Sequence, residues 1–248
     1  MRMVAVVLAG GSGQRFGAAK PKQLLELDGR TLLEHCVAAF DAAPGVDEVL
    51  VVMPPGRTGD AQELLGAGGP DGRGYTKLTG IIEGGTSRPG STRAAIAAIR
   101  ARQQAAGDDS DWRVLFHDAA RPLVDQRIIA DCVAALESEK VAALGVAVPT
   151  ADTIVVVADD VMTQIPRRDS LLRCQTPQGF RLSVITRAHE LARADPDYEP
   201  TDDCGVVLRY LPDVPVHVVR GSERNMKITY PRDLAVAQVL MSEDQGQP

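Results

Sequence analysis

The sequence has few of the residues that mark several common protein classes. Its four cysteines, Cys36, Cys132, Cys174 and Cys204, lie far apart and form no C-x-x-C pair. They read as reduced, structural thiols in a cytoplasmic setting, with Cys36 and Cys132 on apolar helix faces. Four histidines give none of the paired spacing that a zinc site needs. No uninterrupted apolar run reaches membrane-spanning length, which argues against membrane insertion. Met1-Arg2-Met3 leads straight into a strand pattern, leaving no room for a signal peptide. Positive charge is not in excess either. A net charge of −6 speaks against general nucleic-acid binding, but an anionic small substrate is compatible, because the local field of a cleft decides that. Neither an internal repeat nor a splitting linker interrupts the 248 residues, so residues 1–248 read as a single domain with a substantial core.

Strand-like and helix-like segments alternate along most of the chain. Val4–Leu8 is an apolar strand, and Thr31–Phe40 follows as a helix with Leu33, Cys36, Val37 and Phe40 on one face. Thr31 and Glu34 have the spacing of a capping box. Strands are expected at Val49–Met53, Lys77–Ile82, Val114–His117 and Val141–Pro149, with helices over 91–102 and from about Ile128. This order predicts an α/β fold, a doubly wound and mainly parallel sheet, with ligands beyond the carboxyl ends of its strands. Thr153–Val157 and Val161–Ile165 flank Ala158-Asp159-Asp160 and read as a hairpin, a projecting β-arm over about 150–170. Such an arm suits dimerisation or a plain surface excursion. A helix at 182–193, a strand at Val214–Val219 and a last helix opened by Pro231 complete the pattern. Gly66–Gly74 reads as a mobile loop, and Ser242–Pro248 as a frayed tail.

The most informative stretch follows the first strand: Leu-Ala-Gly-Gly-Ser-Gly-Gln-Arg-Phe-Gly-Ala-Ala-Lys-Pro-Lys-Gln, residues 8–23. Gly10, Gly11 and Gly13 leave backbone N–H groups unobstructed for a phosphate or a base edge. Arg15, Lys20 and Lys22 add mobile cations to those fixed dipoles, as breaking a polyphosphate requires. No G-x-x-x-x-G-K-[ST] string exists, so this is not a P-loop. A dinucleotide loop would need a third glycine where Phe16 stands. It would also need a carboxylate after the second strand, which ends in Pro54-Pro55.

Further motifs follow other strands. In Glu83–Ser91, Gly84 and Gly85 permit close approach, and Arg88 and Ser91 offer donors near a helix start. The plain alternative is a helix cap with Ser91 on backbone and Arg88 solvated. In His117–Pro122, Asp118 suits Mg²⁺ beside phosphates and Arg121 can grip a phosphate, unless the two form a pair that merely braces the turn. His117 reads as a hydrogen-bonded structural residue. Asp152-Thr153 and Arg167-Arg168, which precede Gln175–Gln178, suit a phosphorylated polyol or a surface equally. Thr201-Asp202-Asp203 has the form of a helix start. Lys227 is uninformative alone.

Taken in order, LAGGSGQRFG…PKQ, EGGTSRPGS, HDAARP, ADT, QTPQGF, TDD and NMKIT resemble the 2-C-methyl-D-erythritol 4-phosphate cytidylyltransferases. The resemblance runs from Val4 to the last helix. It implies a Rossmann-like domain, CTP as donor, Mg²⁺ and a homodimer joined by β-arms. Carried over by motif, Arg15, Lys22 and Lys227 match cations on the triphosphate. Ala9, Gly10, Gly85, Thr86 and Ser91 match nucleoside contacts, beside which Gly11, Gly13 and Arg88 are placed. Asp118 matches the carboxylate near metal and ribose. Arg121, Thr153, Arg168 and Thr176 match the acceptor side, where Thr201 is also placed, and Thr153 and Arg168 on the arm would reach a partner's site. Thr86 stands where many members carry an acidic residue, and Leu-Ala-Gly-Gly replaces Pro-Ala-Ala-Gly. Ile-Pro-Arg-Arg-Asp also looks like the sister enzymes that act on ribitol 5-phosphate. Transfer of CMP to methylerythritol phosphate is therefore expected, with CDP-ribitol synthesis as the alternative acceptor chemistry. A nicotinamide-dependent oxidoreductase and a non-catalytic nucleotide sensor are the readings from other classes.

Overall fold

The computed structural model describes residues 2–10, 21–66, 74–195, 198 and 200–245. In chain order it runs through β1 (Met3–Leu8), β2 (Glu26–Leu27), β3 (Arg30–Thr31), α1 (Leu32–Asp41), β4 (Glu48–Met53), α2 (Thr58–Gly66) and β5 (Leu78–Glu83). Then come α3 (Arg88–Ala105), β6 (Arg113–Asp118), α4 (Gln126–Glu137), β7 (Ala143–Pro149), β8 (Val156–Ala158), β9 (Val161–Gln164) and β10 (Leu172–Arg181). The chain closes with α5 (Leu182–Arg193), α6 (Asp203–Tyr210), β11 (Val216–Arg220) and α7 (Pro231–Gln245).

Seven strands form one sheet in the order β11-β7-β10-β6-β1-β4-β5. Every pairing is parallel except those of β10, which runs antiparallel to both its neighbours. From β1 the chain winds outward through β4 and β5, then returns to β6 on the other side of β1. The β1–β6 boundary is thus a topological switch point, where open α/β sheets bind ligands. Alternation along β1 divides the core between the faces. Ala5 and Val7 pack with Cys36, Val37 and Phe40 of α1, whereas Val4 and Val6 pack with Ala95 and Ile99 of α3.

Local chemistry accounts for the joints. Thr31 and Glu34 form the expected capping box at α1. Asp159 and Asp160 adopt φ of 50° and 62°, the left-handed pair that turns β8 into β9. The arm is shorter in regular structure than expected, and α3 starts earlier, because Ser87 caps it by accepting the Gly90 N–H at 3.2 Å. The tail read as frayed is helical through Gln245. Arg224 fastens that end, donating to Leu240 O at 2.5 Å and pairing with Glu243 at 3.2 Å. Most of the glycine-rich 66–74 loop lies outside the described residues. No described helix is long and apolar enough to cross a membrane.

Candidate active site

Register places Leu8 of β1 beside Asp118 of β6, and beyond these strand ends opens a cavity of about 560 Å³. Ala9 and Gly10 enter it from the turn after β1, Thr86, Arg88 and Ser91 from the start of α3, and Asp118 from the end of β6. Lys22 and Lys227 join them from opposite ends of the chain. Two Cβ-free positions allow the approach. A Cβ on Gly10 would meet Ser91 Oγ at 2.9 Å, and one on Gly85 would meet Gly90 Cα at 2.7 Å.

A small separate core brings the lysines together. Leu27, Leu32, Ile228 and Ala237 are buried against one another, joining the segment after Lys22 to α7. Lys22 opens a 3-10 turn after Pro21, and its Nζ donates to Ile228 O at 2.8 Å. Ile228 N donates to Ala120 O at 2.8 Å, and Lys227 Nζ reaches Asp118 Oδ2 at 2.7 Å.

Arg88 is paired with two carboxylates rather than only solvated. Its Nε faces Asp118 Oδ1 at 3.5 Å and its NH1 donates to Asp203 Oδ2 at 2.8 Å. Asp203, 1 % exposed, also accepts from His189 Nε2 at 3.0 Å and Thr92 Oγ1 at 3.4 Å. Burial pushes the Asp118 carboxyl up, but Arg88 and Lys227 outweigh it and hold it well below the usual carboxylate range. Burial acts the same way on Asp203, whose pKa is nonetheless lowered by Arg88 and His189. Both carboxylates are therefore ionised at neutral pH. On two residues that line the cavity, Arg88 NH2 and Gln23 Nε2 are buried without an acceptor among the described residues. The cluster of Lys22, Arg88 and Lys227 on one cavity suits a polyanion.

Behind Asp118 the acceptor-side residues act as braces. Thr176 Oγ1 accepts the Asp118 N–H at 3.1 Å and lies 3.0 Å from His117 Nδ1, while His117 Nε2 lies 3.0 Å from Arg121 O. The neutral tautomer with the proton on Nε2 satisfies every contact. Burial pulls the His117 pKa down to about 4, which fits the structural role read from sequence. Arg121 donates from NH1 to Asn225 O at 2.7 Å and from NH2 to Cys174 O at 3.3 Å. No ion pair joins it to Asp118 among the described residues; Asp118 pairs with Arg88 and Lys227 instead. Ser91 binds backbone, as the cap reading held, donating to Ser87 O at 3.1 Å.

Other expected residues lie apart. Thr153 and Arg168 are exposed on the arm, joined by a 2.9 Å bond from Arg168 NH2 to Thr153 Oγ1. No arm residue lines the cavity of its own chain. Thr201 is exposed just before Asp202, which caps α6 by accepting Gly205 N–H at 2.8 Å. Gly11, Gly13 and Arg15 lie outside the described residues. Sequence reasoning missed Gln23, whose signal was its place after Lys22, and Asp203, read only as part of a helix start.

The sequence profile of 2-C-methyl-D-erythritol 4-phosphate cytidylyltransferase matches residues 3–243. A Thermobifida fusca protein of that name is 51 % identical over 97 % of this chain and 93 % of its own length. A bifunctional ribulose 5-phosphate reductase/CDP-ribitol pyrophosphorylase of Haemophilus influenzae is 35 % identical over 96 % of this chain and 48 % of its own length. Among solved structures, the 4-diphosphocytidyl-2C-methyl-D-erythritol synthase of Anaerococcus prevotii is similar with a TM-score of 0.80 and 26 % identity, covering 97 % of this chain and 96 % of that one. A match along nearly the full chain, joined to a switch-point pocket rich in cations, identifies a nucleotidyltransferase: the chain belongs to the 2-C-methyl-D-erythritol 4-phosphate cytidylyltransferase family.

Proposed function

We propose that this enzyme transfers CMP from CTP to the phosphate of 2-C-methyl-D-erythritol 4-phosphate, releasing pyrophosphate. The observation that carries the reading is the convergence of Lys22, Arg88 and Lys227 on one cavity at the switch point. An acceptor phosphate oxygen attacks the α-phosphorus of CTP in line. A new P–O bond forms, the bond to the bridging oxygen of the β-phosphate breaks, and that oxygen leaves with the electron pair as pyrophosphate. A phosphomonoester is largely ionised near neutral pH, so no general base is needed. The obstacle is charge, because one anion must approach another. Lys22 and Lys227 neutralise the triphosphate oxygens, with Arg15 assigned to the same task from sequence. Ala9, Gly10, Gly85, Thr86 and Ser91 hold the nucleoside, with Gly11 and Gly13 assigned from sequence.

Among the described residues no group of three or more His, Cys, Asp and Glu side chains is placed to hold a metal. Mg²⁺ rarely needs one, since it takes one or two carboxylates plus substrate phosphates and water. Asp118 fits that use: it is ionised, and its Oδ1 meets Arg88 Nε only at 3.5 Å. Mg²⁺ held there would supply further charge neutralisation on the phosphates.

Acceptor binding is assigned to Arg121, Thr153, Arg168, Thr176 and Thr201. Because the arm lines no part of its own cavity, Thr153 and Arg168 are assigned to the site of a second copy. The arm carries Val157, Val161, Met162 and Ile165 in contact with water, Met162 being 68 % exposed. Such a patch on a thin hairpin suits a homodimer interface. The enzyme so composed acts in the cytoplasm on soluble substrates.

The test is pyrophosphate release over a grid of nucleoside triphosphates against 2-C-methyl-D-erythritol 4-phosphate and ribitol 5-phosphate. Turnover confined to CTP with the first acceptor is expected. Preference for ribitol 5-phosphate would move the enzyme to CDP-ribitol synthesis, and no turnover on either would end the reading.

A further inference from the structure

Lys227 reaches the catalytic cavity from residues 221–230, a segment between β11 and α7 without helix or strand. Its side chain is exposed, and its Nζ meets Asp118 Oδ2 at 2.7 Å. A long, flexible side chain serves an anion well only where its backbone is fixed, because a misplacement of about 1 Å can cost about 10²-fold in rate. Ile228 N fixes one side by donating to Ala120 O at 2.8 Å. The other side is held by two buried amides, Asn225 and Gln175, to which the proposed reaction gives no role.

Asn225 is 0 % exposed, and its Nδ2 donates to Thr176 O at 2.8 Å and to Gln175 Oε1 at 3.3 Å. Its Oδ1 has no partner among the described residues, so the Nδ2 bonds alone orient the side chain. The Gln175 amide pairs with the backbone of Ser222 as a peptide group would. Its Nε2 donates to Ser222 O at 2.8 Å, and its Oε1 accepts the Ser222 N–H at 3.3 Å. Gly221 keeps the space for this pairing, since a Cβ there would collide with Gln175 Oε1. Asn225 O accepts from Arg121 NH1 at 2.7 Å. These bonds meet β10 where its register against β7 shifts, between Gln175 and Gln178. Such bulges commonly re-aim side chains beside active sites.

One residue joins this clasp to the carboxylate that Lys227 faces. Thr176 O accepts from Asn225 Nδ2, and Thr176 Oγ1 accepts the Asp118 N–H at 3.1 Å. Cation and carboxylate are therefore both registered on Thr176, one through Asn225 two residues before Lys227 and the other through a single hydrogen bond. We propose that Asn225, together with Gln175, is a positioning residue that aims Lys227 at the anion in the cavity. Only the identity of that anion, a triphosphate, rests on the proposed reaction. Loss of the Nδ2 donor leaves the Lys227 ammonium chemically intact but its backbone less fixed.

A double-mutant cycle between Asn225→Ala and Lys227→Ala, on the full chain, separates positioning from plain support of the fold. Calorimetric binding of inorganic tripolyphosphate reads it without turnover, and kcat/KM for CTP reads it a second time. Lys22 and Arg88 remain to give the Lys227→Ala background measurable binding. With Lys227 present, Asn225→Ala is expected to weaken tripolyphosphate about fivefold and to lower kcat/KM about tenfold or more. In the Lys227→Ala background it should change either by less than about twofold. Gln175→Leu should show the same non-additivity to a smaller degree, and it takes the place of Asn225→Ala if circular dichroism shows that variant unfolded. Equal fold losses in both backgrounds would show support of the fold without action through Lys227, and would overturn the proposal. No saturable tripolyphosphate binding to wild type would overturn it too. Absence of CTP turnover alone would end the proposed reaction and leave the binding cycle readable, so the two fail separately.

Discussion

The catalytic cavity and the β-arm carry similar residue types under opposite conditions. At the cavity, half-buried Asp118 and, behind it, buried Asp203 are ionised and held by Arg88, with Lys227 on the other Asp118 oxygen. On the arm, Arg168 and Thr153 share one exposed hydrogen bond. Charges in the first region are fixed before substrate arrives, so their reorganisation cost is met during folding. Those in the second are held by little, and in the proposed dimer they are organised against a second copy. On the proposed reading, one half of the site is assembled within a chain, whereas the other half is supplied by a second copy.

Removing charge from the complete half should have the largest effect. Lys22→Ala is expected to lower kcat by about 10²–10³, the usual cost of an electrostatic donor to a developing anion, with the fold retained. Pyrophosphate release and circular dichroism check both parts. Asp203→Asn should act on both properties at once. It removes the 2.8 Å partner of half-buried Arg88 and leaves only the longer contact to Asp118, and breaking a buried pair costs up to about 3–5 kcal/mol. Urea unfolding should register that loss, and turnover should fall with it; an unchanged unfolding midpoint would show that Asp203 does not hold Arg88. In the open half, Arg168→Ala is expected to raise the acceptor KM by about tenfold or more, as for a lost charge-assisted contact. Its unfolding curve should match wild type, since the residue is exposed.

A last effect, on stability rather than turnover, belongs to pH. His117 is depressed from an ordinary value of 6.5 to about 4 by burial. Between those values the unfolded chain binds the proton and the folded one does not, so stability rises with pH across that window and is lost as pH falls through it. The difference amounts to about 3 kcal/mol. Denaturant unfolding from pH 7 to pH 4 measures it, and His117→Gln should flatten that slope.

The closed half was also the more legible in sequence. Apolar runs gave the parallel strands, and glycine and cation spacing marked the turns after β1 and β5. The 10-residue β10 went unread, because Gln175, Thr176, Pro177 and Gln178 break its apolar pattern. These polar side chains are buried, and their partners are distant in sequence. Gln178 Oε1 accepts from Asp203 N at 3.0 Å, and Gln175 Nε2 donates to Ser222 O at 2.8 Å. No local window contains those contacts. For α2 the signal was weak: glycines at 59 and 66, with only Ala61 and Leu65 buried. Lys227 was silent alone and gains meaning only through Ile228, whose burial beside Leu27 and Leu32 brings the chain ends together.

The division between a finished pocket and a borrowed arm is tested most directly by mixing two impaired variants, Lys22→Ala and Arg168→Ala, after dissociation and reassociation. In a twofold dimer, half of the mixed dimers are heterodimers, each with one pocket and one arm intact at the same site. Recovery to about a quarter of wild-type pyrophosphate release is expected at low acceptor concentration. Activity no higher than the average of the two variants measured separately would contradict it, placing both halves of the site within a single chain.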